Sequence, residues 1–153
     1  DRLRSRGLGD VYKRQVKDNK ILMVKEGKKR CYGQWSFPAG HVEKFEKITD
    51  AAIREVFEET GCKVKLKGML PICSVDLSDD TIVMVRFVAE IVEENITFDK
   101  KEILDAKWID IEKVKSMKED ELRGYNMSIN FIKALEENKI YPIEIWDNTI
   151  YME

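Results

Sequence analysis

At 153 residues the chain is long enough to bury one sizeable core and short for two, so a single domain is expected. Charged residues make up 37% of it, but 27 basic against 29 acidic residues leave a net charge of only -2. There is thus no global field to attract nucleic acid or an anionic membrane, and recognition has to be local.

The longest apolar runs, residues 82–85 and 87–89, fall far short of the ~20 residues of a membrane-spanning helix, and no charged-then-apolar leader is visible. A cytoplasmic protein with no membrane partner is expected. Cys31, Cys62 and Cys73 form no C-x-x-C pair, which argues for reduced thiols over a disulfide framework or a thiolate zinc site.

In chain order, residues 1–15 come first, DRLRSRGLGDVYKRQ, with five Lys or Arg, two Gly and no apolar period. They look foreign to the rest of the chain and resemble a translated sequencing adaptor. They are expected to be a non-native or disordered tail ahead of a domain over residues 16–153. The change comes at Val16. Asp18 and Asn19 signal a turn, and Ile21, Leu22, Met23 and Val24 form a short run suited to a buried strand. A basic, glycine-punctuated loop leads to a possible strand over 35–37 and a break at Pro38-Ala39-Gly40.

Residues 47–60 read as a helix, with Asp50 in the first turn and Gly61 as a left-handed C-terminal cap; Lys47 is a poor N-cap. Strands are expected over 63–70, 72–75, 81–91 and 106–109. An amphipathic helix is expected over 127–137, with Asn126 as its cap. Strands and helices interleave without regular βαβ alternation, so an α/β fold with a mixed sheet between helices is favoured over a doubly wound parallel one.

On the helix over 47–60, Glu55, Glu58 and Glu59 share one arc, and Ile53, Val56 and Phe57 are expected on the arc that faces the core. Like charges at i, i+3 and i+4 destabilise a bare helix by about 0.2–0.5 kcal/mol per pair. A divalent cation reverses that sign, since Mg²⁺ takes oxygen ligands and is commonly held by carboxylates together with substrate phosphates. A solvated charged face is the plainer alternative, and spacing alone leaves both open.

The flanking residues add a pattern. Gly40, Glu46, Arg54-Glu55, the apolar Val56, Glu58-Glu59, Gly61 and Cys62 stand at the spacings of the box of the Nudix hydrolases, and the chain resembles that family from about Val16 to Trp146. Cys62 replaces a usually larger aliphatic and Ala39 a frequent second glycine. PAGHVE, VRFVAE, AKWIDIEKV and FIKALEENKIYPIEI further resemble the NudJ-type phosphatases. The resemblance implies a Nudix-type α/β/α sandwich with a mixed β-sheet. It also implies hydrolysis of diphosphate linkages in nucleoside di- or triphosphates, or in a thiamine-pathway pyrimidine diphosphate, with Mg²⁺ or Mn²⁺ as cofactor.

By that resemblance Glu55, Glu58, Glu59 and the carbonyl of Ala39 are the metal ligands. Glu59, Glu55, Arg54 and Glu102 are the catalytic candidates, with Arg54 either positioning Glu55 or pairing with Glu46. Asp99 and Asp105 are substitutes for the loop acid Glu102. Arg30, Trp35 and His41 are candidates for touching substrate, although a surface role for Arg30, a core role for Trp35 and a structural role for His41 are the plainer readings. The expected partner is a small-molecule diphosphate, with no nucleic acid, on a monomer or homodimer. The rival readings are an ADP-ribose or other nucleoside-diphosphate-X pyrophosphatase and a non-catalytic nucleotide-sensing module.

Overall fold

The computed structural model describes residues 11–14, 16–17 and 19–147. Its strands are β1 (Val11–Arg14), β2 (Val16–Lys17), β3 (Lys20–Glu26), β4 (Trp35–Ser36), β5 (Ala39–Gly40), β6 (Lys63–Met69), β7 (Cys73–Asp76), β8 (Thr81–Glu93), β9 (Ile103–Asp110) and β10 (Tyr141–Pro142). Three helices, α1 (Ile48–Thr60), α2 (Ile111–Lys115) and α3 (Tyr125–Glu136), lie among them.

The strands form two sheets. One runs β10-β6-β8-β1-β5 with β7 beside β8; in the other β3 pairs with β2, β4 and β9. Among the described pairings β1 with β8 is parallel and the rest are antiparallel, so the mixed sheet expected from the irregular alternation is present.

The apolar run of β3 is buried on both faces, which explains why it is continuous and not alternating. Ile21 and Met23 enter a cluster with Phe37, Met84, Phe131 and Ile132 on the α3 side, where the rings of Phe37 and Phe131 stack at 4.2 Å. Leu22 enters the other cluster with Ala52, Val56, Leu66 and Phe87 on the α1 side. Asn19, at φ 62, turns the chain from β2 into β3 at the place marked by the Asp18-Asn19 signal.

Helix α1 ends as expected, on Gly61 at φ 75 with its N–H donating to the Phe57 carbonyl at 2.8 Å, and starts at Lys47 with no side-chain cap. Four features differ from the sequence-based expectation. Val56 is buried, but Ile53 and Phe57 are 37% and 51% exposed, and the inward face is Ala51, Ala52, Val56, Thr60 and Glu59. Short alanines let the helix lie close to the sheet, and that rotates the larger apolar side chains outward.

Second, Ala39-Gly40, expected only as a break, is a short strand whose register places Gly40 opposite Val11 and Ala39 opposite Tyr12. Third, α3 begins after Gly124 at φ 58 and not after Asn126. Fourth, Val11–Arg14, assigned from composition to the tail, forms backbone pairs with Val85 to Val88 of β8. The other residues of that stretch, 1–10 and 15, lie outside the described ones. Among the described residues no helix is long and apolar enough to cross a membrane.

Candidate active site

Three adjoining pieces of chain build the site: the last two turns of α1, the strand β5 that crosses them, and the end of β3. The approach of β5 to α1 depends on Gly40. A β-carbon there would meet the Glu55 carboxyl group at 1.9 Å from Cδ and at 2.0 and 2.3 Å from its oxygens, so only glycine lets that carboxylate lie against the strand.

Arg54 holds the outer half of the site. Its Nε and Nη2 donate to the two oxygens of Glu46 at 2.7 and 3.0 Å, a bidentate pair. Its Nη1 donates to Glu55 Oε1 at 2.7 Å and to Glu58 Oε2 at 3.0 Å, and Nη2 also donates to the His41 carbonyl at 3.0 Å. The sequence left open whether Arg54 serves Glu55 or Glu46; it serves both. Its bond to Glu46 comes first among the interactions that raise its already high pKa.

Glu59 behaves differently. It points inward, is 6% exposed, and its Oε2 accepts from the Ala39 N–H at 3.1 Å. Burial pushes its pKa up to about 8; the charges of Glu26 and Glu55 add to the rise, while the Ala39 N–H and Lys28 oppose it. Glu26, at the end of β3, is 2% exposed and accepts from Ser36 Oγ at 2.7 Å and Arg123 Nη1 at 2.8 Å, both through Oε1. The next residue, Gly27, donates its N–H to the Glu102 carbonyl at 2.8 Å, which docks the loop carrying Glu102 on the same strand end.

The predicted ligands are therefore brought to one end of α1 without converging. Among the described residues no three Asp, Glu, His or Cys side chains are arranged to hold one ion. Glu55 and Glu58 close on Arg54 Nη1 from two sides, and Glu59 turns to β5. The donor set nonetheless suits a hard divalent cation: three carboxylates within one helical turn, two of them already gathered on a positively charged nitrogen, and a third whose ionised form is disfavoured by burial beside Glu26 and Glu55.

The remaining candidates fall in different places. His41 is exposed and offers its carbonyl to Arg54. Arg30 is exposed in the 3-10 turn Lys29–Cys31, and the base whose charge reaches Glu59 is its neighbour Lys28. Trp35 packs against the α3-side cluster, with Lys107 Nζ 4.8 Å and Lys25 Nζ 5.7 Å from its ring, and borders a separate cleft of about 280 Å³ with Lys20, Lys113 and Met117. The side chain of Glu102 is exposed, as its loop position suggested.

Glu26, Ser36 and Arg123 were missed. Their one sequence signal is an acid, Glu26, that continues a strand buried on both faces.

The profile described as the NUDIX domain matches residues 10–130. The chain belongs to the Nudix hydrolase family. It is 33% identical over 132 residues to a putative nudix hydrolase 1 of Caenorhabditis elegans, covering 86% of this chain and 34% of that protein. It is 33% identical over 78 residues to an ADP-ribose pyrophosphatase of Methanocaldococcus jannaschii, covering 50% and 46%. A NUDIX hydrolase from Nitrosomonas europaea superposes with a TM-score of 0.83 at 26% identity, over 95% of this chain and 97% of the other. The chain spans about a third of the length of the C. elegans relative.

Proposed function

We propose that the protein is a Mg²⁺- or Mn²⁺-dependent hydrolase of diphosphate linkages in small nucleotides, with the NudJ-type substrates, nucleoside di- and triphosphates or a thiamine-pathway pyrimidine diphosphate, as the specific class. The observation that carries the reading is the placement of Glu55, Glu58 and Glu59 on one turn of α1 against a strand that Gly40 keeps clear. A bound divalent cation would supply charge neutralisation at the phosphoryl oxygens and a more acidic water.

The chain's own residues do the rest. Glu55, Glu58 and Glu59 would hold the cation. Arg54 orients Glu55 through Nη1 and, by gripping Glu46 and the His41 carbonyl, fixes the loop between β5 and α1. Lys28 adds positive charge near Glu59. Glu102 is the candidate acceptor of a proton from the attacking water, on a loop anchored at Gly27.

The second reading, an ADP-ribose or other nucleoside-diphosphate-X pyrophosphatase, draws on the similarity to the archaeal ADP-ribose pyrophosphatase. The experiment that separates the readings is a Mg²⁺-supported panel of diphosphate compounds with phosphorus NMR of the products. Inorganic phosphate from a nucleoside di- or triphosphate supports the first. AMP with ribose phosphate from ADP-ribose supports the second. No turnover of any compound, with nucleotide still bound, leaves a sensing module.

A further inference from the structure

Glu26 poses a problem of charge and hydrogen bonding that no role assigned above solves. Its Oε1 is used by Ser36 and Arg123, but Oε2 is enclosed and has no hydrogen-bond partner among the described residues. An enclosed carboxylate oxygen normally has a donor, and the usual explanation for one that lacks it is a water or ion that occupies the space beside it.

The surroundings say which. Glu26 and Glu59 are both buried, and the short segment from Ser36 to Ala39 ties them together, Ser36 donating to one and Ala39 to the other. Glu26 raises the cost of charge on Glu59. The described side chains that face Glu26 are thus one hydroxyl, one guanidinium and a second acid, which leaves Oε2 short of a donor.

We propose that Glu26 is a fourth carboxylate of the cation site, acting on the ion's hydration shell: Oε2 accepts a hydrogen bond from a water on the cation held by Glu55, Glu58 and Glu59. This rests on the cation site proposed above and extends it. Mg²⁺ keeps several of its waters when bound by protein, so it brings the donors that Oε2 lacks, and outer-shell partners of this kind commonly change metal affinity by about 10- to 100-fold. A plain structural role for the Glu26–Arg123 pair would account for Oε1 and leave Oε2 unexplained.

The test is the dissociation constant of Mg²⁺ and of Mn²⁺, read from melting-temperature titrations and from Mn²⁺ electron paramagnetic resonance, on the wild type, Glu26→Gln and Arg123→Gln. Glu26→Gln keeps an acceptor for Ser36 and is expected to weaken both constants by about 10- to 100-fold. Arg123→Gln removes a competing positive charge and is expected to leave them unchanged or tighter. If Glu26→Gln does not fold, Glu26→Asp, which keeps the charge and shortens its reach, is expected to give a smaller weakening.

Wild-type affinity in Glu26→Gln, or in Glu26→Asp where that is the variant that folds, overturns the proposal. So does an equal loss in the Glu26 and Arg123 variants, which would mark a structural ion pair. A wild type that binds neither metal overturns the cation site itself, so the two failures are distinguishable.

Discussion

Gly40 and Glu55 stand so close that a β-carbon on the glycine would lie 1.9 Å from the carboxyl carbon of the glutamate. No rotation of the methyl relieves that contact, and Glu55 is held in place by Arg54 at 2.7 Å, so one of the two has to move. Gly40→Ala is expected to preserve the fold at a cost of about 1–3 kcal/mol, as overpacking does. Turnover is expected to fall at least 100-fold, by the geometry argument that small displacements of positioned groups are costly. Melting curves and steady-state rates check it; wild-type kcat in Gly40→Ala would mean that Glu55 does not need its present position.

Glu59→Gln separates stability from activity. The pKa of Glu59 in the fold, about 8, lies above its ordinary value of 4.5, so between those values the folded chain binds the proton more tightly than the unfolded one. Without metal, stability therefore falls as pH rises from about 4.5 to about 8, and the full penalty, on the order of a few kcal/mol, is present above that. Glu59→Gln is expected to abolish this slope and to melt higher than the wild type at pH 8.5 in chelator. In saturating Mg²⁺ the gap should narrow, because the wild type gains about 2.7 kcal/mol at 100 times the dissociation constant while the variant loses a ligand. Its turnover is expected to drop by orders of magnitude. Parallel melting curves at pH 5 and 8.5, with and without Mg²⁺, carry the test.

These two residues also mark where the sequence was legible. The helix, its glycine stop, the strand at β3 and the carboxylate spacing are local properties, written in period and propensity. The division of labour among the three carboxylates is not. Glu59 is enclosed and Glu58 is exposed because α1 turns the face of Ala51, Ala52 and Val56 inward, a choice set by packing that the apolar period misassigned to Ile53 and Phe57. Val11–Arg14 escaped notice for a similar reason. Its strand comes from the slot between β8 and β5, with no alternation of its own to announce it. Glu26 and Arg123, 97 positions apart in the chain, meet only through the fold.

Arg54 is predicted to resist its conservative replacement. Lysine keeps the charge but cannot place two N–H groups on Glu46 while a third holds Glu55. Arg54→Lys should lose about 1.5–3 kcal/mol from the charge-assisted bonds, discounted toward the lower end because the side chain is 23% exposed. kcat should fall more than KM rises, since Glu55 and Glu58 lose the group that gathers them. Equal kcat in Arg54→Lys would reduce the residue to a surface ion pair.

Glu102 and Gly27 test the loop from two directions. The Glu102 carbonyl accepts from the Gly27 N–H at 2.8 Å, and a β-carbon at Gly27 would lie 2.8 Å from that same oxygen. If the Glu102 side chain takes the proton from the attacking water, Glu102→Gln should lower kcat by about 10²- to 10⁴-fold and leave stability within about 0.5 kcal/mol, as expected for an exposed position. Gly27→Ala leaves that side chain intact but shifts its backbone, so it should reproduce part of the kcat loss with little change in KM. Normal turnover in Glu102→Gln moves the base elsewhere, to Asp99 on the same loop or Asp105 on β9, and a Gly27→Ala loss without a Glu102→Gln loss would show that the loop matters for its backbone alone.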